Sequence, residues 1–382
     1  MTQPPPSGPW GGQPPQQPGN WQGYPGGQPG PQGQWNPQQQ WPSPTPAPQK
    51  KGPVKWILGA IALIAVIAVT AVVAVSCAGG KGSDNGGGGT STSGAKSDIA
   101  SANDTGPVSV ITEDPSCAPW GPINDTLANI EKNGWDKRDP SLPASSWTPD
   151  IRDQYQAVAR AMENAANQSI PLIKLTTHRV MRELFEQFRA YARAYAAKIE
   201  SYTPDDNNIA LTVNSIGATI LGVCQSISFG SAAARGPLIP AAEPPARTTT
   251  VGDPASPQRF MKSGDAICEP WISALNDFNT DPAISAWFKI DPNIPASSWT
   301  PDLRAVNEAI VAPMKEFTNS ISRLGARAQN PSIQDFATLA AQYGSAFIEA
   351  LPTYTQPDEH LYDVLRYAPG IISGACKTGG GN

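Results

Sequence analysis

The chain has 382 residues, enough for two or three ordinary domains. It carries 27 basic and 32 acidic side chains, a formal net charge of −5, and the charges begin only at Lys50. No stretch offers the basic footprint that phosphate neutralisation needs, so no nucleic acid partner is expected.

Residues 1–50 are Pro, Gln, Gly and Asn punctuated by Trp10, Trp21, Tyr24, Trp35 and Trp41. They show no apolar periodicity, so ordering entropy dominates and a disordered, polyproline-like tail is expected. The spaced aromatics suit weak multivalent contacts, self-association among them; the same composition also serves as a solvated spacer. Residues 56–76 follow, from Trp56 to Ser76, without a charge. At about 1.5 Å per residue a helix of this length spans roughly 30 Å, the hydrocarbon thickness of a bilayer. Lys50, Lys51 and Lys55 precede the run and only Lys81 follows closely. That asymmetry predicts a single-pass signal anchor, N-terminus in the cytoplasm and C-terminal bulk outside. A cleaved signal peptide fits less well, because the run is long and some fifty residues precede it. Ala74-Val75-Ser76-Cys77 resembles a relaxed lipobox, which makes Cys77 the lipidation site in an alternative, processed-lipoprotein reading. Ala74 stands where such a box usually has Leu.

Four features carry a wider resemblance. They are Met1-Thr-Gln-Pro-Pro-Pro6, Trp21-Gln-Gly-Tyr-Pro-Gly-Gly27, Lys50-Lys51-Gly52-Pro53, and the Ala/Val/Ile run ending in Ser76-Cys77. The first ninety or so residues resemble actinobacterial envelope proteins with a Pro/Gln/Gly-rich cytoplasmic tail and one transmembrane helix. The resemblance implies a single-pass envelope protein and no particular activity. It names no characterised family for the outer domains.

Residues 78–107, rich in Gly, Ser and Thr, read as a flexible linker. Beyond it lies an internal repeat. Asp139-Pro-Ser-Leu-Pro-Ala-Ser-Ser-Trp-Thr-Pro-Asp150 returns as Asp291-Pro-Asn-Ile-Pro-Ala-Ser-Ser-Trp-Thr-Pro-Asp302, an offset of 152 residues. The same offset pairs Trp135 with Trp287, Arg152 with Arg304, Met162 with Met314 and Cys224 with Cys376. Cys117-Ala-Pro-Trp120 meets Cys268-Glu-Pro-Trp271 after a one-residue slip. This is a tandem duplication. It predicts an outer domain over 108–226, a linker over 227–257 and a second outer domain over 258–377.

Two cysteines fall in each copy, one near its start and one at its end. Four cysteines allow three connectivities, and the duplication favours Cys117–Cys224 and Cys268–Cys376. Such bonds persist outside the cytoplasm. Reduced structural cysteines are the alternative. No Cys-x-x-Cys occurs and only His178 and His360 are available, so no metal site is expected.

The fold class expected is all-α, two tandem disulfide-closed helical bundles beside the membrane helix. Helices are predicted over about 121–134, 149–168, 176–201 and 205–223, then 270–279, 301–328, 332–350 and 358–374. Met181, Leu184, Phe185, Phe188, Ala192, Tyr195 and Ile199 line one face of the third helix. Arg182, Glu186, Arg189 and Arg193 are expected on a solvated face.

The repeated Ser-Trp-Thr-Pro-Asp reads first as a helix start. Thr148 and Thr300 cap, Pro149 and Pro301 suit the first position, and Asp150 and Asp302 complement the macrodipole. Trp147 is placed to stack with Arg152, and Trp299 with Arg304. A paired binding surface is the functional reading of the same loops. No Gly-x-Ser-x-Gly, Walker loop or His-Glu-x-x-His occurs, so neither an enzyme nor a cofactor is expected. The expected function is a non-enzymatic envelope protein whose outer domains bind a partner protein or envelope component. An extracytoplasmic ligand sensor is the rival.

Overall fold

The computed structural model describes residues 98–379. The tail at 1–50, the membrane run at 56–76, Cys77 and the first part of the linker lie outside the described residues.

Among the described residues the regular structure is helical, without strands. Copy one contains α1 (Cys117–Glu131), α2 (Pro149–Gln168), α3 (Ile170–Leu175), α4 (Arg179–Lys198) and α5 (Asn207–Ser228). A short α6 (Ser231–Arg235) follows. Copy two contains α7 (Cys268–Thr280), α8 (Pro282–Trp287), α9 (Pro301–Ala309), α10 (Val311–Arg327), α11 (Pro331–Ala350) and α12 (Glu359–Gly379). The disulfides are Cys117–Cys224 and Cys268–Cys376, with Cα atoms 5.1 and 5.5 Å apart. Each ties the first helix of a copy to its last, within the ordinary span of such bonds.

Local chemistry explains most boundaries. Thr148 and Thr300 accept from the amides of Ile151 and Leu303 at 3.4 and 3.2 Å, starting α2 and α9. Asp281 caps α8, a helix absent from the sequence expectation, by accepting from Ala283 and Ile284. The single helix expected over 301–328 is interrupted at Ile310. Pro313 has no N–H for the Ala309 carbonyl, and its ring crowds the same turn. Copy one has Ala161 at that position, and α2 runs unbroken to Gln168.

The copies pack against each other through their last helices. A β-carbon added at Gly222 would lie 3.1 Å from Val364 and 3.3 Å from its backbone nitrogen. One at Gly374 would overlap the Thr212 hydroxyl and sit 3.3 Å from the Asn208 carbonyl. Gly222 and Gly374 are repeat-equivalent, and so are Thr212 and Val364. The late part of each helix therefore meets the early part of the other. α5 and α12 are antiparallel, related by a pseudo-two-fold axis between Gly217 and Pro369. Glycine lets the backbones approach where any side chain would hold them apart. One hydrophobic core runs through both copies. Among the described residues Pro204–Ser228 is long and apolar enough to cross a membrane; 72% of its apolar 18-residue window is buried inside the protein.

Two expected linkers are part of this body. Residues 98–107 are docked: Ile99 and Ser101 are buried, and the carbonyls of Ser101, Asp104 and Gly106 accept from Arg182 and Arg179. Residues 227–257 include α6, whose Arg235 forms a two-pronged bond with Asp358 of copy two at 3.0 and 2.9 Å. Further along, Thr249 donates to Glu183 and the Ala255 carbonyl accepts from Arg189. Flexible composition did not prevent docking, because α4 presents unsatisfied donors and acceptors along the path of both segments.

Candidate functional site

Two sets of residues have more chemistry than a core needs. The first is the repeated loop. In copy one the Trp147 indole N–H donates to the Leu142 carbonyl at 2.9 Å, and the ring stacks on Tyr155 at 4.0 Å. Arg152 donates to the Ala144 carbonyl at 2.9 Å, and its guanidinium carbon lies 5.7 Å from the Trp147 centroid. Copy two repeats the arrangement: Trp299 donates to Ile294 at 2.9 Å, Arg304 to Ala296 at 3.3 Å, and Arg304 sits 5.9 Å from the Trp299 ring. The loops are anchored from below by residues that sequence reasoning missed. The Tyr202 hydroxyl donates to Pro140 at 2.9 Å, and the Tyr354 hydroxyl to Pro292 at 2.7 Å. Each tyrosine is followed by a reciprocal cap, Thr203 with Asp206 and Thr355 with Asp358. The signal was present: Tyr-Thr and the following Asp recur at the same 152-residue offset.

The second set is a buried polar seam along α4. The sequence placed Arg182, Glu186 and Arg189 on a solvated face; all three are buried, as are Arg179, Glu183 and Gln187. Copy two, the N-terminal arm and the inter-copy segment cover them. Arg179 binds Asp335 of α11 with two prongs, Nε to Oδ2 at 2.7 Å and Nη2 to Oδ1 at 3.1 Å. Its remaining donors reach the carbonyls of Asp104 and Gly106 at 2.8 and 3.1 Å. Arg182 lies 3.5 Å from Glu186 and 3.9 Å from Glu183. Glu183 and Asp335 occupy repeat-equivalent positions. Burial, and then the Asp335 charge, hold Glu183 well above the usual carboxyl range, against the Thr249 hydroxyl and the arginines. Burial pushes Glu186 up to about 7, against Arg182. Arg179, Asp335 and the neighbouring carbonyls satisfy one another across the joint, as buried charges must, while Arg182 Nε, Glu183 Oε2 and Glu186 Oε1 are buried without a hydrogen bond among the described residues.

The two histidines stand apart. His178 Nε2 lies 3.0 Å from the Glu113 carbonyl oxygen. His360 pairs with Asp363 at 3.2 Å and stacks on Phe229 at 5.0 Å. No cluster of three or more His, Cys, Asp or Glu that could hold a metal occurs among the described residues. An open groove of about 760 Å³ between α1 and α2 is lined by Asn129, Ile130, Lys132, Asn133, Arg160 and neighbours. In copy two Phe278 stacks on Phe317 at 4.4 Å, where α7 meets α10.

A family model described as mycobacterial ESX-1 associated protein matches residues 99–380, which encloses both copies and the arm. The chain belongs to this family. An uncharacterised protein of Mycolicibacterium smegmatis (strain MKD8) is 42% identical over 345 residues, 90% of this chain and 91% of that one. No solved structure matches. The ESX-1 associated family thus coincides with the disulfide-closed double bundle. Its relative comes from an actinobacterium, as the resemblance of the first ninety residues implied.

Proposed function

We propose that this chain is a non-enzymatic, single-pass envelope protein of mycobacteria that supports ESX-1 secretion by binding a protein component outside the membrane. Family membership supports the link to secretion. The observation that carries the location is the pair of disulfides, which need an oxidising compartment to persist. With residues 56–76 as the span, the body stands outside and the Pro/Gln/Gly-rich tail makes weak contacts in the cytoplasm. The Arg179–Asp335 and Arg235–Asp358 pairs are committed to holding the parts of the double bundle together, which supports a binding platform over a catalyst.

The test has two arms in a mycobacterium. Deleting the gene should reduce ESX-1 substrates in culture filtrate, and the full-length gene should restore them. Unchanged secretion overturns the secretion role. Membrane-impermeant protease on intact spheroplasts should cut the body and spare the tail; the reverse overturns the topology. Intact mass settles the lipoprotein alternative, since an acylated Cys77 at the mature N-terminus would remove the tail.

A further inference from the structure

We propose that the body grips two copies of one partner protein, one near each end, through its two Pro-Ala-Ser-Ser-Trp-Thr-Pro-Asp loops. This rests on the reading of the body as a binding platform and adds the place and stoichiometry of binding.

The two copies have diverged widely, and outside these loops they share scattered positions, some buried, such as Met162 and Met314, Tyr191 and Tyr343, Tyr202 and Tyr354, and some exposed, such as Lys137 and Lys289. Pro143–Asp150 and Pro295–Asp302 are identical over eight consecutive positions. Packing explains Ala144 and Trp147, and helix initiation explains Thr148 and Pro149. Nothing in the fold explains the serines. Ser145, Ser146, Ser297 and Ser298 are exposed, and none of their hydroxyls has a hydrogen-bond partner among the described residues. Each pair lies a few residues before an exposed carboxylate, Asp150 or Asp302. Each loop thus carries two exposed hydroxyls and, at the helix start that follows it, one exposed carboxylate, groups that suit a surface rich in N–H donors.

The occupant is a protein rather than a glycan. Sugar rings bind by stacking on exposed aromatics, and neither loop tryptophan is exposed: Trp147 is buried and Trp299 half-buried against the core. Trp147 is 8% exposed and stacked on Tyr155, and Trp299 is stacked on Tyr354 at 6.0 Å. The pseudo-dyad then sets the number. Each loop is anchored at the start of α5 or α12, and those helices are antiparallel and 22 and 21 residues long. At 1.5 Å per residue the two anchors lie roughly 30 Å apart, at opposite ends of the pair. Equal surfaces related by a two-fold suit a partner that is itself present twice.

A photocrosslinking phenylalanine derivative placed at Ser146 or Ser298 of the full chain, in living mycobacterial cells, tests this. Both positions should give adducts with the same protein. Native mass spectrometry of the purified complex should show two partners per chain, one with S146R or S298R, and none with both. Ser146→Ala and Ser298→Ala supply a milder pair whose melting temperature should match wild type. Different adducts at the two positions, a glycan adduct, or two partners retained in the double variant would overturn the proposal. Controls at Asn133 and Lys315 separate the layers. Adducts there and none at the loops sink this inference and keep the platform. No protein adduct at any of the four positions sinks both.

Discussion

At the scale of single residues, the joint between the copies is held by Arg179 and its fork onto Asp335. Arg179→Met leaves Asp335 buried without its counter-ion, and the expected cost is about 3–5 kcal/mol in a chemical denaturation curve. Replacing both partners with apolar residues should recover much of that loss, because no orphaned charge remains. Glu183 and Glu186 make a second prediction. Their folded pKa values lie above the unfolded value, so the folded state binds more protons than the unfolded one in between. Stability from these groups is complete below pH about 4.5 and declines as pH rises toward 7 and beyond. Glu183→Gln should flatten the fall in melting temperature across that window. An unaltered slope would show that Glu183 is not protonated in the fold.

At the scale of elements, the disulfides and the capped helix starts were legible because each depends on few neighbours. Cys117 and Cys268 recur with their partners, and Thr-Pro-Asp writes a helix start in three letters. The break at Ile310 was equally local, but the periodicity of Leu303, Val306, Ile310 and Met314 hid the veto of Pro313. Burial of the α4 polar face could not be read that way. Arg182 and Glu186 at i, i+4 look the same whether water or a second bundle covers them. The repeated loop was half legible: its Trp and Arg stood out, while Tyr202 and Tyr354 lie more than fifty residues downstream. Tyr202→Phe should cost about 1 kcal/mol by loss of its bond to Pro140, read as a lower denaturation midpoint. Reducing either disulfide, or Cys224→Ser with Cys117→Ser, should cost about 2–5 kcal/mol and lower the melting temperature by several degrees.

At the scale of the whole molecule, the duplication made two domains the natural expectation, and the structure makes one body with a shared core. Residues 98–379 should therefore melt in a single calorimetric transition, with calorimetric and van't Hoff enthalpies equal. Two resolved transitions would mean the copies fold independently. Gly222→Leu and Gly374→Leu test the same joint from inside. Each forces a side chain into backbone contact and should cost at least 1–3 kcal/mol.

The antiparallel meeting of α5 and α12 has a consequence for the growing chain. A polypeptide synthesised only as far as Ser228 already owns a helix that satisfies the bilayer's demand for length and greasiness, yet lacks the one that shields it. Its cover begins at Glu359, well over a hundred residues later. Until then the first bundle is an incomplete object with an oily flank. Ribosome-stalled or truncated forms ending between the two bundles should stick to membranes or chaperones, and release only when the second half arrives.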